Sequence, residues 1–194
     1  MVDRASCIVE GRVAEVASSW TEDRSGIVTE VTLDVTDAFL GNTNRVTFLY
    51  QGGCVDGIEQ RVSDMPTVAL GQQILVCLRQ PKASAERRRR LGAARETKPV
   101  LVGSAQGLWR IGGGRAVKEG FSLVGDDRGV DRDVDAAALK SRIRQRVSTT
   151  RRTGGAPCPL PHVPFMRAAR FFAACCWRRQ QAPIKSAKRR AAWS

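Results

Sequence analysis

Alternating apolar and polar positions mark the most regular stretch of the chain, residues 26 to 41, GIVTEVTLDVTDAFLG. A period of two is typical of an antiparallel strand with one face on the core. A register slip of one residue would bury Glu30 and Asp34, and an unpaired carboxylate in an apolar core is costly. The predicted inward residues are Ile27, Val31, Leu33 and Val35, with Thr29 on the same face. The predicted outward residues are Val28, Glu30, Thr32, Asp34 and Thr36.

Shorter β-branched runs recur along the first 111 residues, separated by segments that carry Gly, Pro, Asn or Asp. They predict strands at Cys7 to Val16, Val46 to Gln51, Ile74 to Arg79, Val100 to Ser104 and Leu108 to Ile111. About six short strands and one helix favour an all-β barrel or sandwich. Gly11 interrupts the first strand and predicts a bulge or sharp bend there.

One segment has the pattern of an amphipathic helix, DRDVDAAALKSRIRQRV at residues 131 to 147. Asp135 can cap its start, and Leu139, Ile143 and Val147 recur every four residues. A helix that binds DNA would also be basic, but the dipole explains the bases without a nucleic-acid partner, because its negative end suits Lys140, Arg142, Arg144 and Arg146. We therefore expect the helix to pack its narrow apolar stripe on the barrel.

Two long segments have little strand character and are candidates for the working surface: Gln51 to Gly71, which is glycine-bearing, and Arg79 to Pro99, which is strongly basic. The basic segment reads either as an anion-contacting loop or as a solvated, partly helical excursion, because no aromatic residue is interleaved for base stacking. The ligand-binding residues that we predict are Arg87, Arg88, Arg89, Arg90, Arg95 and Lys98.

The net charge of +13 belongs mostly to the end of the chain. Residues 149 to 194 hold 10 Lys and Arg and no acid, whereas residues 1 to 148 hold 22 Lys and Arg and all 19 acids. The basic end is also rich in Ala, Pro, Cys and Trp, unlike ordinary globular sequence. It reads as the product of a shifted reading frame, as a disordered basic tail, or as an anchor for a membrane surface or nucleic acid.

The motifs of catalysis and metal binding are incomplete in this sequence. RIGGGRAV, at residues 110 to 117, has strand-like flanks, so a hairpin turn is predicted in place of a phosphate-binding loop. Ser104 lies outside a G-x-S-x-G motif, and His162 is the single histidine. Six cysteines form no C-x-x-C pair, and Cys7 and Cys77 fit buried strand positions. We expect no enzyme, no metal site and no cofactor.

Neither a secretory signal peptide nor an apolar run long enough to span a membrane is recognisable in the sequence. We therefore expect no transmembrane segment.

Three stretches together carry a resemblance: CIVEGRVAEVASSWTEDRSGIVTEVTLDVTDAFLG, VTFLYQGGCVDGIEQRVSDMPTVALGQQILVCLR and LVGSAQGLWRI. In this order they resemble a class of uncharacterised bacterial exported modules and, more distantly, the netrin-like fold of the tissue inhibitors of metalloproteinases. The resemblance covers roughly residues 5 to 111 and implies an OB-type barrel in an extracellular or periplasmic protein. Those inhibitors act through a cysteine at the mature amino terminus, whereas Cys7 lies within a strand pattern, so protease inhibition is not expected.

The resulting prediction is an all-β protein: an OB-like antiparallel β-barrel of five or six strands with one C-terminal helix and a disordered tail. Its parts are a barrel domain at residues 1–130, a packed helix at 131–148, and a disordered or frame-shifted basic tail at 149–194. The expected function is a non-catalytic binding or interaction module of an exported bacterial protein, with an unknown protein or anionic ligand as partner. The alternatives are an oligonucleotide-binding OB-fold protein and a cytoplasmic location, and nucleic acid is otherwise expected only as non-specific binding by the tail.

Overall fold

A computed structural model describes residues 1–118 and 132–152 of the chain, with the side chains of residues 151 and 152 excepted. This part of the protein is mostly β, with a large sheet and a C-terminal helix. Most of the predicted tail, residues 153–194, lies outside the described residues, as does the segment 119–131. The strands are β1 (Cys7–Trp20), β2 (Ile27–Leu40), β3 (Arg45–Gln51), β4 (Gly53–Val55), β5 (Ile58–Gln60), β6 (Gln73–Arg79), β7 (Val100–Leu101), β8 (Leu108–Gly112), β9 (Arg115–Val117) and β10 (Asp133–Asp135). The helices are α1 (Ala85–Leu91), α2 (Ala93–Glu96) and α3 (Ala136–Arg152), with 3₁₀ turns at Val2–Arg4 and Ser104–Gly107.

The large sheet has eight strands in the order β1-β2-β3-β7-β6-β8-β9-β10, and β1 also pairs with β6. All of its pairings are antiparallel except β3 with β7, which is parallel. Strand β1 therefore has a partner on both edges over its first half. The prediction of a mostly-β chain with a C-terminal helix is confirmed.

The irregularity predicted at Gly11, a bulge or a sharp bend, coincides with a shift in the pairing of β1 with β2. The register between these strands shifts between Glu10 and Gly11. The backbone of the partner strand also comes unusually close here, because a Cβ atom at position 11 would lie 2.4 Å from the carbonyl oxygen of Asp34. Only glycine fits this approach without a shift of the backbone.

The core between the strands contains the predicted inward face of β2. Val31 and Leu33 are completely buried in a cluster with Val9, Phe48 and Ile74, and Val35 packs against the same cluster. The opposite face of β2 differs from the expectation of a solvated surface. Val28 and Thr32 on that face are buried. Leu91, from the segment between β6 and β7, packs on Val28, and the hydroxyl of Thr32 is hydrogen-bonded to that of Thr47 in β3.

Helix α3 packs its predicted apolar stripe, Leu139, Ile143 and Val147, into a second apolar cluster. The stripe and Ala136 are buried there against side chains of the sheet, namely Ile8, Phe39, Leu75 and Trp109. The helix begins at Ala136, directly after its predicted cap, and Asp133–Asp135 of the predicted segment pairs as a strand with β9. Asp135 caps it as predicted, since its Oδ1 accepts the N–H of Ala138 at 2.8 Å.

Three bases of α3 form ion pairs with acidic residues elsewhere in the fold. The ion pairs join Lys140 Nζ to Glu10 Oε2 (2.6 Å), Arg144 Nη2 to Asp37 Oδ2 (2.5 Å) and Arg146 Nη2 to Asp3 Oδ2 (2.9 Å). The pair with Glu10 is the least exposed of the three, because this glutamate lies beneath the helix with only 6% of its side chain exposed. The helix is thus fixed by charge as well as by its apolar stripe.

Two hairpins complete the sheet structure. The predicted hairpin at RIGGGRAV is confirmed: β8 pairs with β9, and Gly113 and Gly114 in its turn both have positive φ. The other hairpin, β4 with β5, lies within the segment Gln51 to Gly71 that was expected to be a loop. Its turn is Asp56–Gly57, with φ of 52° and 80°, which is a strong two-residue hairpin signal.

Candidate functional site

The arginine run Arg87 to Arg90 lies on α1, so the basic segment is helical over this part. Ser84 caps the helix, its Oγ accepting the N–H of Arg87 at 3.1 Å. At the other end Leu91 is buried against Val28 and Leu49, with Val100 packed alongside. This apolar contact holds α1 against β2 and β3.

A cavity of about 340 Å³ lies between α1 and the ends of β3, β6 and β7. Its apolar lining comes from Val28, Leu49, Met65, Leu91, Val100 and Leu101. Its polar lining comes from Tyr50, Gln51, Ser84, Glu86 and Ser104, together with Arg79, Arg87 and Arg90. The cavity therefore combines an apolar wall with three guanidinium groups.

Two of these arginines bury nitrogen atoms that lack a hydrogen-bond partner within residues 1–118 and 132–152. Arg87 donates from Nε to the carbonyl oxygen of Glu96 at 2.8 Å, while its Nη2 has no partner there. The Nε atom of Arg90 is also buried and has no hydrogen-bond partner in these residues. Buried donors are normally satisfied in folded proteins, so each such nitrogen needs an explanation.

Repulsion among the three guanidinium groups shows in the pKa of Arg87. Burial lowers this pKa, and the positive charges of Arg79 and Arg90 lower it further, while the carboxylate of Glu96 acts in the opposite direction. A site where like charges gather is one in which a bound anion is stabilised.

The other predicted site residues lie elsewhere. Arg95 and Lys98 both bind Glu30 on the outer face of β2, Arg95 through Nε at 2.7 Å from Oε1 and Lys98 through Nζ to Oε2. Arg88 pairs with Glu96 at 3.5 Å, and Arg89 is exposed. The structure thus brings Arg87 and Arg90 to the cavity, and it places Arg95 and Lys98 in a clamp that ties the α1–α2 segment to the sheet.

Sequence reasoning missed most of the cavity. Arg79 ends the apolar strand β6, and a charge at the end of such a strand was the available signal. Tyr50 both packs against the core and lines the cavity. Ser104 has a positive φ of 55°, which is uncommon for a residue with a side chain and is enriched at functional positions.

Comparison of the chain with protein-family models, with curated proteins and with solved structures gives no match. In the part of the chain that the structure describes, no helix is both long and apolar enough to cross a membrane. Within the same ranges, the side chains of His, Cys, Asp and Glu form no group of three suited to hold a metal ion. The fold and site thus define a mostly-β protein with an arginine-lined cavity.

Proposed function

We propose that the strands form an OB-like barrel. Support comes from the order of the pairings: β1 pairs with β2, β2 with β3, β3 with β7, β7 with β6, and β6 again with β1. A cycle of five strands matches the number in the OB fold, which is a partly open Greek-key barrel. The long strands β1 and β2 and the shifts in their register are features that allow a sheet to curve.

The function that this geometry supports best is a non-catalytic binding module for an anionic ligand, with the α1 cavity as its site. The observation that carries the proposal is that Arg87 and Arg90 both line the cavity and that each has a buried nitrogen without a hydrogen-bond partner in the described residues. Burial of a charged donor without a partner is costly, and an anion accepting from both groups would remove that cost. The resemblance to bacterial exported modules supports placing this activity outside the cytoplasm.

The experiment compares the anion dependence of melting for the wild type and two matched variants. Arg87→Gln changes a cavity arginine, and Arg89→Gln makes the same change at an exposed position of the same helix. Anions such as acetate and phosphate should raise the melting temperature of the wild type and of Arg89→Gln, since ligands that bind the folded state stabilise it. The increase should be lost in Arg87→Gln. An equal anion response in all three proteins would refute the proposal.

A second candidate is oligonucleotide binding, which the five-strand cycle and the exposed arginines Arg88 and Arg89 favour. Fluorescence anisotropy with labelled oligo-dT, measured across a salt series, tests it. Binding that is lost in an Arg88→Gln, Arg89→Gln double variant and unaffected by Arg87→Gln would favour this candidate over the cavity.

A further inference from the structure

The cavity also indicates the chemistry of its ligand, an inference that rests on the proposed function. Only two buried nitrogens are unpartnered in the described part of the site, Nη2 of Arg87 and Nε of Arg90. Each of these nitrogens can donate to one oxygen of a carboxylate, a group that guanidinium ions bind through charge-assisted hydrogen bonds. The third guanidinium, that of Arg79, belongs to an exposed residue, so its charge is largely solvated.

The other charges of the lining do not call for a second negative charge on the ligand. Glu86 belongs to the cavity lining and, like Arg79, is exposed, so its charge is also largely solvated. These two exposed charges have opposite signs, which leaves the buried donors of Arg87 and Arg90 to set the charge of the ligand. A single carboxylate matches these donors.

The remaining lining suits an apolar group. Leu49, Leu91 and Val100 belong to one apolar cluster at the wall, and Met65 adds a flexible apolar side chain. Tyr50 is half-buried, packs against the core cluster and also lines the cavity, so its ring adds to this wall. This surface offers contact area to hydrocarbon.

The size of the cavity, about 340 Å³, lies near the lower end of the range of small-molecule sites, roughly 300 to 1,000 Å³. It suits one small molecule held in a cleft. We infer that the cavity binds a small organic carboxylate with an apolar body, its carboxylate on Arg87 and Arg90 and its hydrocarbon against the wall of Leu49, Leu91 and Val100.

Isothermal titration calorimetry of the full chain with four probes tests this inference. Hexanoate has the charge and the hydrocarbon, acetate has the charge with little hydrocarbon, hexanamide has the hydrocarbon without the charge, and inorganic phosphate is the polyanion. Hexanoate should bind at least about tenfold more tightly than acetate and phosphate, because they lack its buried methylenes. It should also bind at least about tenfold more tightly than hexanamide, because the amide lacks the charge that the arginines bind.

The variants separate this site from adventitious binding elsewhere on the chain. Arg87→Gln and Arg90→Gln should each weaken hexanoate binding about tenfold, and Arg89→Gln should leave it unchanged. Arg87→Lys should recover only part of the affinity, because an ammonium lacks the planar fork. Circular dichroism melts of each variant establish that it is folded, and Arg90→Gln tests the site independently if Arg87→Gln is not.

The outcomes distinguish the two proposals. If acetate or phosphate binds as tightly as hexanoate and depends on Arg87, the cavity is an anion site and the inference about an apolar carboxylate is wrong. If hexanoate binds equally to the wild type, Arg87→Gln and Arg90→Gln, or if no anion binds the wild type, the proposed function fails as well.

Discussion

Glu30 is the residue whose replacement tests most directly how the basic segment is held on the sheet. It lies on the outer face of β2, and 21% of its side chain is exposed. Arg95 binds one carboxylate oxygen at 2.7 Å and Lys98 binds the other, and 25% and 30% of their side chains are exposed. The two bases of this clamp lie in the segment that also carries α1 with Arg87 and Arg90.

Glu30→Gln keeps the shape of the side chain and removes its charge, so Arg95 and Lys98 lose their counterion while remaining partly buried. A hydrogen bond to a charged group contributes roughly 1.5 to 3 kcal/mol, and partial exposure reduces the value. We therefore expect the free energy of unfolding at pH 7 to fall by about 1.5 to 2.5 kcal/mol, measured by urea denaturation.

The loss should also depend on pH. Burial by itself raises the pKa of Glu30, but the hydrogen bonds and charges of Lys98 and Arg95 outweigh it, and the net pKa is below its ordinary value of 4.5. A carboxyl group with a lowered pKa in the folded state contributes stability above its unfolded pKa and loses it as the pH falls through the folded pKa. The difference between wild type and Glu30→Gln should therefore be complete at neutral pH and should shrink below about pH 4.5.

Glu59→Gln is the matched control, because Oε1 of Glu59 also accepts a hydrogen bond from an arginine, with Nε of Arg61 at 2.8 Å. The two side chains of that pair are 54% and 85% exposed, so solvent screens their interaction and no measurable loss is expected. Equal losses in the two variants, or a loss for Glu30→Gln that stays constant from pH 7 to pH 3, would refute the reasoning.

Three further predictions concern the core and the helix. Lys140→Met should lower the free energy of unfolding by about 2 to 4 kcal/mol, because it leaves the carboxylate of Glu10 buried without its cation; a denaturant melt measures this, and an unchanged midpoint would contradict it. Leu33→Ala should cost about 2 to 5 kcal/mol and Thr32→Ala only about 1 kcal/mol, so similar losses would show that the faces of β2 are wrongly assigned. Iodoacetamide should modify the exposed Cys54 in the native protein. Cys7 in β1 and Cys77 in β6 are buried, and burial raises their pKa values to about 11 and about 12, so both should stay unmodified until the protein unfolds. Peptide mass mapping would report which cysteines are modified.

The strands and the helix could be predicted because their patterns are local. Each predicted strand overlaps an observed one, and the stripe of α3 is buried as its four-residue spacing indicates. The strand Val100 to Ser104 ends early at Leu101, because Gly103 and Ser104 both adopt positive φ. Turn conformations of this kind leave a weaker trace in the sequence than alternation does.

The cavity could be predicted only in part, because its residues come from distant segments. A run of arginines predicts an anion-binding site, but the sequence does not show which of the arginines form ion pairs with acidic residues within the fold. Arg95 and Lys98 meet Glu30, which precedes them by more than sixty positions, and this pairing arises only when β2 and the α1–α2 segment come together. The apolar wall likewise depends on the packing of Leu91 onto β2 and β3.

Strand β1 pairs with both β2 and β6, and the two pairings are expected to form at different times during folding. Its pairing with β2 joins neighbouring segments, such as Trp20 with Ile27, so that hairpin can form with little loss of loop entropy. Its pairing with β6 joins Arg12 to Gln73, so it closes a loop of about sixty residues and costs more loop entropy. Non-local contacts slow folding, so we expect the β1–β2 hairpin to form early and the β1–β6 contact to set the folding rate.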